Sequence, residues 1–447
     1  MERQVISKVM WRLIPFMIFL YILNYIDRVN ISFAKLMLKD DLKFDDAVYA
    51  TGVSIFYIGY CLFEVPSNLI MERVGARVWM ARIMISWGLI TSAMMFINSK
   101  ESFYALRVLL GIAEAGFFPG MVLYLTRWIP AKQRAQAGGL FLTSTALSGV
   151  VGSPLAGLIM RLDKVGDLRG WQWLFLLEGI PTIFAGIVIL FYLDNEPKDA
   201  KWLEPEERDW LSKRLEAERG AVHGHGHHSL KHAFTSPRVW LLCFAYGFIL
   251  LGFYCVHYWA PSIFKEDLLA ALPEAERTDD AKNALNLTAG YLMAIVYSGA
   301  TIGLVIFGRG ADRTGNYRGW VIAGALLSFA GFAAGAITLT STTLCVCFFF
   351  IAALGIFGTL GPFWALPPVF LSGPAAAAGI AFINSVGNLI GGLFGPQMMG
   401  QLKERTGSYE AGVGAFALVS LFAAVLTYCI KPAQPVHGDI APGTESL

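Results

Sequence analysis

The chain has 447 residues, of which 55% are hydrophobic and only 15% charged, with a formal net charge of +2. A soluble domain carries about 25% charged residues, so a mean hydropathy of +0.55 points to a chain solvated mostly by lipid. The near-neutral balance gives no reason to expect a nucleic-acid partner. The six cysteines sit in apolar stretches without metal-ligand or disulfide spacing and read as packing thiols.

A helix needs about 20 mainly apolar residues to cross the hydrocarbon core. Apolar runs between charged or turn-rich breaks predict twelve such helices. They lie near 10–34, 48–70, 79–97, 102–126, 136–160, 171–193, 238–264, 286–308, 319–339, 343–371, 377–401 and 410–430. The first run is too long for a cleavable signal peptide and contains Asp27 and Arg28. The second ends in Glu72-Arg73-Val74-Gly75, and the fourth holds Arg107 and Glu114. The longest hydrophilic segment follows the sixth run. It contains EPEERDWLSKRLEAER, which reads as a short amphipathic helix, and then HGHGHH. His223, His225, His227 and His228 read as a linker rather than a metal site. The eighth run ends in Asp312-Arg313-Thr314-Gly315, and Pro362, Pro367, Pro368 and Pro374 interrupt the tenth and eleventh, which read as broken helices.

These breaks divide the chain into a six-helix half over 1–193, a linker over 194–236, a second six-helix half over 237–431 and a tail over 432–447. The halves repeat each other. Asp312-Arg313 follows Glu72-Arg73 by 240 residues, Ala378-Gly379 answers Ala137-Gly138, and Pro396 answers Pro154. A duplicated six-helix unit places the working site where the halves meet. Lysine and arginine concentrate in the loops on the side of the termini, Arg127, Lys132 and Arg134 among them, which predicts cytoplasmic termini.

Two spans carry charges that hydrocarbon resists. Asp27 and Arg28 lie within LIPFMIFLYILNYIDRVNISFA, and Arg107 and Glu114 within FYALRVLLGIAEAGFFPGMVLYL. A charge at bilayer depth costs at least about 2.5–3.5 kcal/mol on insertion scales, so such residues face a cavity, pair with one another or carry function. Arg107 and Glu114 are two helical turns apart on one face, about 10 Å along the axis. All four charges are expected to point into one cavity of the N-terminal half. There the planar forks of Arg28 and Arg107 suit a substrate carboxylate. Asp27 and Glu114 suit proton uptake. With both acids charged the four residues sum to zero; with both protonated the cavity is positive, so proton and anion binding assist each other. The competing structural reading makes them ion pairs that hold the first and fourth spans together.

The C-terminal half offers amides and aromatics instead. Trp364 beside Pro362 and Pro367, and Asn384 with Asn388 one turn further, are expected to face the substrate. Tyr57, Tyr60 and His257 are further candidates, His257 lying near the outer end of its span, where solvation would also account for it. Glu64 and Glu178 read as helix-end or gate contacts. There is no nucleophile–base constellation, metal set or phosphate-binding glycine loop, so neither an enzyme nor a cofactor is expected.

Twelve spans, the long central loop and the acidic-Arg-x-Gly turns resemble the major facilitator superfamily. YIDRVN, FEVPSNLIMERVGAR, RVLLGIAEAGFFPG and GWQWLFLLEGIP resemble its anion:cation symporter branch, which includes transporters for tartrate, phthalate and hexonates. Asn68 departs from the glycine that usually begins the turn after the second span. The resemblance implies proton coupling at Asp27 and Glu114, substrate binding or gating at Arg28 and Arg107, and a cytoplasmic latch formed by Glu72, Arg73, Asp312 and Arg313. The expected protein is an all-α membrane protein of two pseudo-symmetric six-helix halves: a monomeric inner-membrane transporter importing a small organic anion with protons by alternating access. An exchanger without net proton coupling and a non-transporting nutrient receptor are the alternatives.

Overall fold

The computed structural model describes residues 2–223, 235–367 and 373–430; for 131–143, 146, 219–223 and 373–378 it describes the backbone alone. His225, His227, His228, Pro368 and the 432–447 tail lie outside the described residues, as do the side chains of Lys132, Arg134, His223, Pro374 and Ala378. Among the described residues there are helices and turns and no strand.

The N-terminal half begins with α1 (Glu2–Asp41), whose 40 residues extend about 60 Å at the helical rise. It therefore projects beyond the hydrocarbon core at both ends, where polar flanks hid it from an apolar window. Next come α2 (Asp46–Val74), α3 (Ala76–Ala93) and α4 (Lys100–Glu114). The expected fourth span breaks after Glu114. Gly116 takes a φ of 86°, a conformation glycine adopts freely, and α5 (Phe117–Trp128) starts beyond it. The half closes with α6 (Ala131–Ile159) and α7 (Gly170–Tyr192).

The predicted amphipathic helix is α8 (Pro205–His223). It docks on the end of the N-terminal half that carries the chain start. Leu211 and Leu215 are buried, Trp202 stacks on Trp128 at 5.7 Å, and the Arg12 guanidinium lies 4.8 Å from the Trp202 ring. Lys8 donates to Glu207 at 2.8 Å, and this hydrogen bond holds the Glu207 carboxyl below its usual range.

The second half runs α9 (Pro237–Tyr258), α10 (Ala260–Ala270), α11 (Asp279–Thr314), α12 (Tyr317–Ile337), α13 (Thr342–Gly358), α14 (Leu360–Trp364), α15 (Gly373–Leu389), α16 (Gly395–Thr406) and α17 (Glu410–Cys429). The expected seventh and tenth spans each break, at Trp259 and Thr359. A π-turn over Ile390–Phe394 joins α15 to α16, a local widening that often marks functional positions. Ten described helical stretches are long and apolar enough to cross a membrane. With α6 and the composite α15–α16 they make the twelve-span, two-half architecture.

Without a hydrophobic drive between helices in lipid, close approach of small residues supplies much of the packing. A Cβ on Gly111 of α4 would stand 2.1 Å from the Phe56 carbonyl oxygen of α2. Gly111→Ala must push these two helices apart. A destabilisation of about 1–3 kcal/mol follows, read as a lower thermal midpoint of the purified protein. The halves meet along two seams. In one, α6 lies on α11, where a Cβ on Gly290 would stand 2.6 Å from the Ser153 carbonyl. In the other, α2 lies on α15–α16, where Ser54 donates to the Leu393 carbonyl at 2.9 Å and Gln397 to Thr51 at 3.1 Å.

Candidate functional site

A cavity of about 60 Å³ lies between the halves. Tyr21, Tyr25, Arg28, Tyr60, Phe118 and Thr145 line it from one half; Tyr246, Leu250, Phe253, Tyr254, Leu360, Trp364, Asn384 and Asn388 line it from the other. That volume holds about four waters, so a substrate requires the halves to part.

Arg28 is the charged residue on the wall. Its Nη2 and Nε donate to Glu114 Oε1 at 2.5 and 2.8 Å, and Asn24 Nδ2 adds a third donor to the same oxygen at 2.8 Å. Glu114 Oε2 is buried without a hydrogen-bond partner among the described residues. The pair is well removed from solvent, with side-chain exposures of 11% and 1%. Asn24 and Arg28 are one turn apart on α1, so one face of one helix grips the carboxylate at the last residue of α4. The break after Glu114 leaves α4 ending against Arg28.

Of the four charges Arg28 lines the cavity, Glu114 is bonded to it, and Asp27 and Arg107 lie elsewhere, which corrects the single-cavity expectation. Successive helical residues diverge by about 100°, so Asp27 turns away from Arg28 toward α3. It accepts from Trp87 Nε1 at 3.0 Å. Arg107 is buried, donates from Nε to the Gly52 carbonyl at 3.0 Å, and lies 4.8 Å from the Phe56 ring. Two turns of α4 carry it along the helix to the α2 backbone rather than to the cavity.

Tyr60, Trp364, Asn384 and Asn388 line the cavity as expected from sequence. Tyr57 does not; its hydroxyl meets that of Tyr258 at 2.7 Å in the seam beyond. His257 also stands off the cavity and is not solvated. It is 1% exposed, stacked on Phe253 at 4.4 Å, and neither ring nitrogen has a hydrogen-bond partner among the described residues. Glu72, Arg73, Asp312 and Arg313 are exposed. Among the described residues none of the four forms an ion pair, and Asp312 accepts from Tyr317 at 3.2 Å. The latch expected of them is not formed in this conformation.

Closure is built at the opposite end. Lys35 of α1 pairs with Asp46 at 2.7 Å and sits 3.8 Å from the Trp259 ring of the other half. Lys265 reaches across to the Leu36 carbonyl at 2.9 Å. Tyr21, Tyr25, Tyr246 and Thr145 are cavity residues that sequence reasoning did not select. Tyr21 and Tyr25 were detectable: they precede Arg28 by seven and three residues and continue its face.

Twelve membrane-spanning helices, duplicated as two halves around a cavity that both line, define a multi-pass membrane transporter. The family model described as "Major Facilitator Superfamily" matches residues 17–396, and the chain belongs to that superfamily. It is a transporter and not an enzyme. A protein of Agrobacterium vitis named "Putative tartrate transporter" is 43% identical over 97% of this chain and 93% of its own length. A "Quinolone resistance transporter" of Acinetobacter baumannii is 39% identical over 96% of this chain and 95% of its own. Among solved structures, a bacterial homologue of the human lysosomal transporter Spinster superposes with a TM-score of 0.71 at 16% identity. It covers 93% of this chain and 95% of that one, a likeness of fold. The relatives fit the anion:cation symporter branch to which the motifs point.

Proposed function

We propose that the protein is a proton symporter that imports a small organic anion by alternating access, with a hydroxydicarboxylate such as tartrate as the leading substrate class and sugar acids or phthalate-like acids next. The observation that carries this reading is the Arg28–Glu114 pair, whose arginine lines the cavity. While the pair is intact, Arg28 has its anion and the cavity little attraction for another. A proton on Glu114 removes that anion and frees a forked donor for a substrate carboxylate. Proton and substrate then promote each other's binding, and the linkage is reciprocal.

Asp27 stands one residue away, held by Trp87, as a second acid able to take up a proton. Arg107 ties α4 to α2, so it serves the moving frame rather than the substrate. The relatives' names support the anion class. In this reading the protein is monomeric in the bacterial inner membrane with cytoplasmic termini, divided at 1–193, 194–236, 237–431 and 432–447. Lys35 and Lys265 close the outer end. Glu72, Arg73, Asp312 and Arg313 latch the cytoplasmic end when the outer end opens.

The test is a thermal-shift screen of organic acids on purified protein at acid and neutral pH. A ligand at 100 times its dissociation constant stabilises the folded state by about 2.7 kcal/mol. Tartrate or a close analogue is expected to raise the midpoint, and more at acid pH. An increase that is larger at neutral pH would refute the linkage.

A further inference from the structure

The seam between α2 and the C-terminal half is fastened on both sides of the cavity. Tyr60 marks the cavity level on α2. Toward the start of the helix, Thr51 accepts from Gln397, Ser54 donates to the Leu393 carbonyl and Tyr57 meets Tyr258. Toward its end, Cys61 Sγ donates to the Ser385 carbonyl at 3.6 Å. Glu64 then takes two hydrogen bonds from α15: Asn384 Nδ2 donates to Oε1 at 3.1 Å and Ser385 Oγ to Oε2 at 2.7 Å. Glu64 is 4% exposed and stands about 6 Å beyond Tyr60 at the helical rise.

The two sides are fastened by different chemistry. On the outer side, where α2 begins beside Lys35, the contacts join neutral groups. On the inner side a carboxylate meets two donors, and bonds to an ionised group are roughly twice as strong as neutral ones. Both donors are neutral and both belong to the other half, so this bridge exists only while the halves are together. It holds well in a dry seam. Once water enters, the carboxylate is hydrated, so parting the halves exchanges protein donors for water and strands no buried charge. Asn384 belongs to the bridge and to the cavity wall at once, which puts the bridge at the edge of the cavity, well inside the exposed turn of Glu72 and Arg73.

We propose that Glu64 is the inner gate residue of the transporter: held by Asn384 and Ser385, its carboxylate fastens α2 to α15 on the side of the cavity nearer the chain termini, and its release opens the cavity toward that end. This inference rests on the alternating access proposed above and is independent of the substrate carried. It assigns the inner closure in this conformation to a residue at the cavity, where the latch of Glu72, Arg73, Asp312 and Arg313 is not formed.

Cys61 reports on the gate, because its thiol faces the same strand of backbone at Ser385. The experiment measures alkylation of Cys61 by a charged, lipid-insoluble maleimide in the full-length protein in nanodiscs, with the modified residue located by mass spectrometry. Glu64→Ala is expected to raise the rate at Cys61 by about tenfold or more, the scale of one lost hydrogen bond to a charged group. Glu64→Gln keeps an acceptor for Asn384 and is expected to fall between Glu64→Ala and the wild type. Ser54→Ala loosens the outer side instead. It is expected to lower the rate, because opening outward keeps the inner side shut. If Glu64→Ala does not fold, Ser385→Ala removes one of the two donors and is expected to raise the rate by a smaller factor.

A merely structural role for Glu64 predicts another pattern, in which any loosening of the seam exposes Cys61. An unchanged rate in Glu64→Ala, or a rise in Ser54→Ala as large as that in Glu64→Ala, would overturn the gate. No substrate enters this measurement, so either result leaves the organic-anion reading standing; that reading fails separately, if no organic acid raises the thermal midpoint.

Discussion

Glu114→Gln is expected to retain substrate exchange across the membrane and to lose accumulation driven by a pH gradient. Glutamine is nearly isosteric and can still accept from Asn24 and Arg28 through its amide oxygen, so the contacts at 2.8 and 2.5 Å have a partner. What it cannot do is bind and release a proton. With the neutral amide in place, Arg28 is permanently without a counter-anion, as it would be in the protonated wild type, and the cavity remains receptive at every pH. One pH unit is worth 1.36 kcal/mol per proton, a factor of about ten. A wild-type symporter exchanging a substrate electroneutrally with its protons therefore reaches about tenfold accumulation per proton and pH unit. The variant is expected to equilibrate its substrate and stop. Counterflow of labelled substrate, measured in the same proteoliposomes, confirms that the site still works. Undiminished uphill uptake by the variant would remove Glu114 from coupling. A wild-type protein with counterflow but no uphill uptake is instead an exchanger.

The architecture was largely legible before any coordinates because bilayer thickness imposes a length on apolar segments, and the repeated Glu72-Arg73 and Asp312-Arg313 turns exposed the duplication. Helix ends were less legible. The outer turns of α1 and α11 are polar, so hydropathy truncates helices that hydrogen bonding continues through Asp41 and Thr314. The site was legible in its residue types and less so in its directions. The cost of charge at bilayer depth led to the expectation that the four charges converge, and Arg28 and Glu114 do meet. Helical spacing put Arg107 on the same face as Glu114, but α2 and its Gly52 carbonyl lie there instead of a cavity. Asp27 shows the same limit: neighbours in sequence diverge around the helix, and the position of Trp87 on α3 determined where it points. Glu64 was visible as a charge in an apolar run. Its partners were not, because Asn384 and Ser385 are more than three hundred residues away in sequence and meet it only across the seam.

Arg28 variants separate the substrate role of this arginine from its role in holding the helices. Arg28→Ala leaves Glu114 buried without its cation, and removal of one partner from a buried pair costs about 3–5 kcal/mol. Transport is therefore expected to fail and the thermal midpoint to drop, a result that by itself says nothing about substrate. Arg28→Lys keeps the charge beside Glu114 and much of the stability. It replaces a fork with a point charge, so one of two hydrogen bonds to a carboxylate is lost. A charge-assisted bond contributes about 1.5–3 kcal/mol, which predicts a KM about 10- to 100-fold higher in a protein that is still folded. Arg28→Gln combined with Glu114→Gln provides the complementary case. Two amides in contact need no counter-charge, so the double variant is expected to be more stable than Arg28→Ala and to show no uptake. A double-mutant cycle over the two positions measures their coupling directly. If Arg28→Lys transported with an unaltered KM, or if the paired Gln variant accumulated substrate, the arginine would belong to the scaffold of α1 and α4 and the anion would have to be received elsewhere in the cavity.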